Sequence, residues 1–556
     1  MPVQRLLVIG LDGLEPSLVQ AMIDQGRLPN LARLREQARW GPLRSTLPYA
    51  TFPAWTSFMT GVNPGEHGIF DFARRVPGTY DVQFVGAHAR RRPIVPTLAS
   101  AAGLRTACIG FPGTYPPEPI DGVMIGGFDS PVAVSADASF IHPPELADAI
   151  ERRFGPWVFA DFAETGTALP GWHRRAARKL LTGLRRRRAI AAWLLDREDW
   201  DLFMVHFGES DTAAHHFWAF HDPRSPRRPA DLDPDLVPVL SNIYAELDHS
   251  VGLLAERLGP DGHLLIASDH GFGGSSDKVF YLNRWLAQQG WLAFHPTPGA
   301  GQRAFGAALR AGLAVVPGRL QQRLWRLAGP WAGRAEARRR YSGIDWARTR
   351  AYSDELSYNP TIRLNLAGRD PLGLLPPEDA DALCDTIAEA LTRLRDPWTD
   401  RPVLKEVWRR EALYHGPALA DSPELVLDLA LDGDYAYNLL TSGGPGPLWR
   451  TLAEAEKLGA KGAGMNGTHR RDGFWLVHGP AAAPRRKRAD MVDMAPTMLA
   501  ALGMAPLDGM EGRTLLQPPG GCVVPRLHTE PLAAPAPYTA AQQAIVEDRL
   551  RRLGYL

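Results

Sequence analysis

Cysteine is scarce in this chain: Cys108, Cys384 and Cys522 are the only three in 556 residues. So few, so widely spaced, exclude a cysteine-ligated zinc cluster and a disulfide framework, and they point to a reducing compartment. Neither sign of charge is in excess. Lys+Arg number 62 and Asp+Glu 61, for a net charge of +1. A dedicated nucleic-acid binder would carry a strong basic surplus, so no nucleic-acid partner is expected. An uninterrupted apolar run of ~18 residues is missing too, so no transmembrane helix is expected. The stretch Leu6–Leu11 is shorter than the ~7–15-residue apolar region of a secretory signal and runs into Asp12. A cytoplasmic protein is the expectation.

What is present reads as globular. Hydrophobic residues make up 45% of the chain and charged residues 22%, an ordinary balance for a folded protein. At ~100–200 residues per domain, the length calls for a large core with insertions. Short apolar runs at Leu6–Leu11, Thr106–Phe111, Leu202–Val205 and Leu264–Ala267 suit strands covered on both faces. Helical patterns such as Pro16–Gln25 and Ile243–Leu258 lie between them. The alternation predicts an α/β fold, a mostly parallel central sheet with helices on both faces. The main body is expected over 1–528, followed by a Pro/Ala linker at 529–537 and a C-terminal helix over 538–556. Two strongly basic stretches suggest inserted cap segments near 150–195 and 285–345. Within them, 172–188 reads WHRRAARKLLTGLRRRR, and 301–340 holds nine Arg and one Glu. A solvated helical face is the plain reading of each. A lid over an anionic substrate or a membrane-surface helix is the sharper one.

In a parallel sheet, ligands bind beyond the carboxyl ends of the strands. Three of the apolar runs lead to an aspartate there: Asp12, Asp211 and Asp269. A single one is a cap or turn residue as readily as a ligand. Three gathered at one edge would repel each other unless cations were present. Asp211 and His215, in ESDTAAHHFW, are four apart, which on a helix puts both on one face, able to share a metal ion. Asp269 and His270 are adjacent in ASDHGFGG. Both reach one site only where the strand breaks into a turn, which Gly271, Gly273 and Gly274 would supply. His469, in GMNGTHRRDGF, lies in another glycine-containing loop able to enter the site. Thr51 stands in LPYATFPAWTSFMTG. Pro53 suits a first helical position, placing Thr51 at or just before the N-cap. There it is either a plain cap or a hydroxyl held where a helix N-terminus binds phosphate, and where a metal would ease its ionisation.

With these residues the chain resembles the alkaline phosphatase superfamily, in its type I phosphodiesterase/nucleotide pyrophosphatase branch. The matching blocks are GLDG (10–13), TFPAWTSFMTGVNPGEHGIFDF (51–72), ESDTAAHHFW (209–218), ASDHGFGG (267–274) and NGTHRRDGF (466–474), in the family's order. The resemblance implies that Asp12, Asp269 and His270 hold one metal together with Thr51, the nucleophile. It implies that Asp211, His215 and His469 hold a second. Zinc is the usual metal of such sites and manganese that of mutase relatives, so two divalent ions are expected.

The implied activity is hydrolysis of phosphate esters, phosphodiesters first, through a phospho-threonine intermediate. The alternatives are a phosphotransferase or mutase, a phosphomonoesterase, and a metal-bearing binding protein without catalysis. Small-molecule or lipid phosphate esters are the expected partners, with peripheral membrane contact through the basic insertions as a further expectation. Two departures narrow the choice. Where the nucleotide pyrophosphatases carry an Asn after the Asp of the HG-apolar-apolar-Asp segment, this chain has Phe72 after Asp71, which puts nucleotides in doubt. Thr51-Phe52-Pro53-Ala54-Trp55 lacks the Cys/Ser-x-Pro-x-Arg pattern of sulfatases. Trp55 and Phe72 are expected to accommodate the second organic group of a diester.

Overall fold

The computed structural model describes residues 5–127, 140–157, 170–259, 261–296, 341, 343–355, 358–459, 464–479 and 488–516. The basic stretch 301–340, the linker 529–537, the C-terminal segment 538–556 and Cys522 lie outside the described residues, with the expectations attached to them.

The segment LLVIGL has no polar side chain, and all six of its residues are buried. A strand apolar on both faces needs cover on both, which places it in the middle of a sheet. The strands of the main sheet, in chain order, are β1 (Leu6–Leu11), β2 (Arg39–Arg44), β3 (Thr106–Ile109), β4 (Gly122–Ile125), β5 (Ile141–His142), β6 (Leu202–Phe207), β7 (His263–Ala267), β8 (Asp472–His478) and β9 (Ala489–Asp490). They lie in the order β9-β2-β8-β7-β1-β6-β3-β4-β5. The block from β7 to β4 is parallel. β8 runs against both β7 and β2. Leu11 of β1 faces Phe207 of β6, and Gly10 faces Ala267 of β7, so three central strands end at one level.

Alternation along β1 divides the core. Leu7, Ile9 and Leu11 join an apolar cluster with the helices Trp172–Leu195, Glu209–His221 and Val239–Ala255. Leu6 and Val8 join the cluster on the other face, with the helices Thr51–Thr60, Val95–Ala101 and Met494–Ala501. Each such buried aliphatic side chain contributes roughly 1.5–3 kcal/mol. The expected α/β sandwich is therefore present, with both faces covered. Among the described residues no helix is long and apolar enough to cross a membrane.

The basic run 172–188 is not an inserted cap. It belongs to the helix Trp172–Leu195, which buries Ala176, Leu180, Leu184, Ile190 and Leu194 in the core. Arg174 pairs with Asp233 and Asp235, while Arg185 and Arg188 pair with Glu246. Buried Arg187 lies 3.5 Å from buried Glu209. The run looks unbalanced in the sequence because its carboxylate partners come from other helices and loops.

After β7 the chain leaves the main sheet in the strand Gly271–Phe280, which pairs with Gly467–Arg470 and Tyr435–Leu439. Gly271, Gly273 and Gly274 thus stand in a strand and not in the expected turn. They are glycines because neighbours approach closely. A Cβ on Gly271 would lie 2.3 Å from the Asp472 carbonyl oxygen, and one on Gly273 2.6 Å from the Arg470 guanidinium. His469 is likewise in a strand, opposite Phe272. A further four-stranded sheet, Ala351–Ser353, Thr361–Leu364, Leu404–Arg409 and Leu425–Leu429, packs with the helix Ala380–Thr392. That sheet and helix share an apolar cluster with Phe280, Trp285 and Leu439.

Candidate active site

Asp12 follows β1, Asp269 lies two residues beyond β7, and Asp211 sits in the first turn of the helix that follows β6. Parallel neighbours ending at one level bring the three carboxylates together. Gly13 makes the turn possible. Its φ is +61°, and a Cβ there would come within 3.1 Å of Asp211, so only glycine suits the position. Its N–H donates to Asp269 Oδ1 at 3.1 Å. All three aspartates are buried.

The histidines complete two groups that share one residue. Ligand atoms of Asp211, His215 and His469 lie within 4.8 Å of one another, and so do those of Asp12, Asp211 and His270. Asp211 Oδ1 is 3.2 Å from His215 Nε2 and 3.3 Å from His469 Nε2. His270 Nε2 is 3.5 Å from Asp12 Oδ1 and 3.3 Å from Asp269 Oδ2. The structure thus brings together the six predicted Asp and His residues, and it puts Asp211 within reach of both groups.

Each imidazole is oriented by a backbone carbonyl. Nδ1 of His215 faces the Gly467 oxygen at 2.9 Å, that of His270 the Gly271 oxygen at 3.0 Å, and that of His469 the Tyr49 oxygen at 3.0 Å. A carbonyl accepts, so Nδ1 carries the hydrogen and Nε2 presents a lone pair. His215 Nε2 and His469 Nε2 are 3.1 Å apart, and the His270 and His469 rings stack at 3.7 Å. Asp12 Oδ1, Asp269 Oδ2 and His270 Nε2 are buried with no hydrogen-bond partner among the described residues. Burial, then the neighbouring Asp12 charge, hold the Asp269 carboxyl well above its ordinary range. Burial, then His469, push His270 down to about 3. Acceptors facing acceptors in a buried space are unfavourable without positive charge between them. The donor set of carboxylate oxygens and imidazole nitrogens therefore fits divalent cations.

Thr51 opens the helix Thr51–Thr60, one residue further in than expected. The N-cap is Ala50, in an extended conformation with no side-chain cap bond, and Pro53 is the third helical residue. A missing N–H is harmless in the first turn. The hydroxyl is therefore not used as a cap. Two residues before Thr51, the Tyr49 carbonyl holds His469. Four residues after it, Trp55 Nε1 donates to Asp12 Oδ2 at 3.2 Å. The start of this helix is tied to both ligand groups.

Several residues of the site were not singled out in the sequence. His206 Nε2 lies 3.0 Å from Asp12 Oδ2, and Ser210 Oγ donates to the Asp12 carbonyl at 2.5 Å. The signal for His206 is a polar residue inside an apolar strand, whose expected end at Val205 falls two residues short of Phe207. Trp55 is fully buried and Phe72 stacks on Phe84 in the core. Both are packed against other side chains, and neither borders the cavity described next. Open space lies elsewhere: a cavity of about 560 Å³ is bordered by Tyr49, Tyr358 and His469. The Tyr358 ring stacks on His469 at 5.2 Å, and its hydroxyl donates to Asp71.

The Thr51 helix is pinned by His67, whose Nε2 lies 2.9 Å from Ser57 Oγ and whose Nδ1 accepts from the Ile69 N–H. Burial, then the Arg90 charge, push His67 down to about 3. A depressed base contributes stability that is present above its ordinary value of 6.5 and lost as pH falls toward 3. His67→Gln is expected to flatten the fall of melting temperature between pH 6.5 and 4, against up to ~1.4 kcal/mol per pH unit for one such group. An unchanged pH slope would show that His67 does not titrate on unfolding.

The family model for type I phosphodiesterase / nucleotide pyrophosphatase matches residues 6–463. It therefore covers Asp12 through His270 and stops before His469. Phosphonoacetate hydrolase from Sinorhizobium meliloti 1021, solved with phosphonoformate, is similar over 90% of this chain and 96% of its own, at 15% identity and a TM-score of 0.53. The murine ectonucleotide pyrophosphatase/phosphodiesterase 5 is similar over 92% of this chain and 100% of its own, at 14% identity and a TM-score of 0.46. The first likeness shows a shared alkaline phosphatase-like fold. No curated protein matches the chain. With a match that runs from the first strand past Asp12, Asp211 and Asp269 to residue 463, the chain belongs to the type I phosphodiesterase/nucleotide pyrophosphatase family, within the alkaline phosphatase superfamily.

Proposed function

We propose that the chain is a two-metal hydrolase of phosphate esters, with small phosphodiesters as preferred substrates and Thr51 as nucleophile. The observation that carries this reading is the convergence, at one sheet edge, of three buried carboxylates with the ε-nitrogens of His215, His270 and His469. Family membership supports the reaction class. Asp12, Asp269, His270 and Thr51 would hold one ion, and Asp211, His215 and His469 the other, with Asp211 shared between the two because it also lies within reach of Asp12 and His270; zinc is favoured by the donor set and manganese is compatible with it. Such ions, when bound, ease ionisation of a hydroxyl and offset charge on a leaving oxygen.

The chain's own residues do the rest. The ten-residue helix that starts at Thr51 offers its first backbone N–H groups to phosphoryl oxygens. Thr51 Oγ gives up its proton to solvent and attacks phosphorus in line, and the bond to the leaving oxygen breaks as that oxygen takes up a proton from water, giving phospho-threonine. Water then attacks the same phosphorus, the Oγ–P bond breaks, and Thr51 is restored. His270 stays a neutral imidazole at pH 7, with its pKa pushed down to about 3 by burial and by His469. Trp55 and His206 fix the orientation of Asp12 by binding its Oδ2.

The preference for diesters follows from charge. A monoester carries nearly two negative charges at neutral pH, and no Arg or Lys stands between Thr51 and Arg74 to match the second. The cavity beside His469 gives a second ester arm room. For a matched aryl alkyl diester and aryl monoester, kcat/KM is expected to favour the diester by about tenfold or more. A monoester advantage would replace this reading with a phosphatase or a mutase. Phosphate release without an added acceptor separates hydrolase from phosphotransferase.

A further inference from the structure

The cavity beside His469 carries more positive charge than the fold around it uses. Arg401, Lys405, Arg470 and Arg471 line it, against the single carboxylate of Asp428. Asp428 is already engaged, with Lys405 Nζ at 3.2 Å and the Tyr49 hydroxyl donating to it at 3.3 Å. Arg470 serves the scaffold: its guanidinium donates to the carbonyl oxygens of His469, Gly274 and Asp434. Arg401 is exposed at the rim.

Arg471 has no such employment. Among the described residues no carboxylate lies within ion-pair distance of it, its Nε is buried without a partner, and it stands between this cavity and a smaller one lined by Arg44 and Asp490. Its backbone is held, since its carbonyl accepts from the Ser45 N–H at 3.0 Å. A planar guanidinium on a fixed backbone, two residues from His469, is suited to grip a carboxylate or phosphate with two parallel hydrogen bonds. Leaving it without an acceptor is costly where water is excluded. The facing wall is apolar, with Leu404 and Leu429 nearly buried and Leu431 40% exposed. A volume of about 560 Å³ is far more than a methyl ester needs and falls within the ~300–1,000 Å³ of small-molecule sites.

We propose that this cavity takes the substrate arm remote from the reacting phosphorus, and that this arm is a short aliphatic chain ending in an anion clamped by Arg471. The proposal rests on the phosphate-ester reading above and deepens it, by naming the substrate class as esters that carry a second, distal negative charge. Carboxylate and phosphate share the recognising chemistry, and Arg471 is then a specificity-determining residue and not a catalytic one.

Calorimetry on the metal-loaded protein tests this without turnover, using propylphosphonate, 4-phosphonobutanoate and propane-1,3-diphosphonate. The wild type is expected to bind at least one of the doubly anionic probes about tenfold or more tightly than propylphosphonate. Which of the two gains more identifies the distal anion. Arg471→Ala should bring all three within about threefold of one another, and Arg471→Lys, which keeps the charge, should restore part of the preference. In parallel, p-nitrophenyl phosphodiesters with a butyl or a 4-carboxybutyl arm should differ in KM more than in kcat, and Arg471→Ala should erase that difference. Equal wild-type affinities for the three phosphonates would overturn the proposal, as would an Arg471→Lys protein that loses affinity for all three alike. Absence of diester turnover with the calorimetric preference intact would instead remove the hydrolase reading and leave the anion cavity standing.

Discussion

Thr51→Ala is expected to abolish turnover, by at least about 10³-fold, the scale of loss when a nucleophile is removed from an otherwise intact site. The same change should leave melting temperature close to wild type and, with Asp12, Asp269 and His270 still in place, most of the metal bound. The reason lies in the start of its helix. Ala50, not Thr51, is the N-cap, and no side-chain cap bond is present to lose. Alanine is also the better helix former. Thr51→Ser keeps the hydroxyl and should keep measurable activity. Mass spectrometry of acid-quenched enzyme should find a phosphoryl adduct on the peptide that contains residue 51, in wild type and not in the Ala variant. Hydrolysis by Thr51→Ala at the wild-type rate would assign the nucleophile elsewhere.

The second large effect concerns Asp211. Wild-type protein should carry about two divalent ions per chain, as two-metal sites do. His215→Ala removes a residue that belongs to one ligand group only. Asp211→Ala removes the residue that reaches both. Metal analysis is expected to return about one ion for the first variant and close to none for the second, with activity lost in both. Exhaustive chelation of the wild type should lower its melting temperature, because Asp12, Asp211 and Asp269 then face each other, buried, with nothing to offset them. An Asp211→Ala protein that retains two ions would refute the shared position, and full activity after chelation would refute the metal site altogether.

Much of this site is legible in the sequence, and the part that is not has a physical cause. Strands such as Leu6–Leu11 announce themselves because burial on both faces removes every polar residue. Asp12 and Asp269 stand out because they end such runs. The spacing of Asp211 and His215 needs only one helix. Pairing between distant segments leaves no local trace. That is why Gly271, Gly273 and Gly274 read as a turn when they are the narrow strand against which His469 is laid. It is also why 172–188 reads as a basic insertion: Asp233, Asp235 and Glu246, which neutralise it, lie beyond the window in which charge is counted. Trp55 illustrates a third limit. An indole within an apolar helix signals packing, and only the register of that helix over β1 turns its N–H toward Asp12.

The register of the main sheet also sets a timetable for biosynthesis. β1 emerges first, yet its two partners are β6 and β7, with Leu6 opposite Leu202 and His263. A newly made β1 therefore has no partner strand until β6, at Leu202–Phe207, has been translated, and it must be kept from pairing wrongly in the meantime. β8 closes the far side of β7 later still, through Trp475 opposite Ala267. His469 is supplied by the strand just before β8. At ~5–20 residues per second, the ribosome takes on the order of 20–100 s to pass from β1 to His469. The full ligand set can thus be assembled only after all but two strands of the main sheet have been made, so capture of a metal by that set would follow, and not guide, the pairing of β1 with β6 and β7.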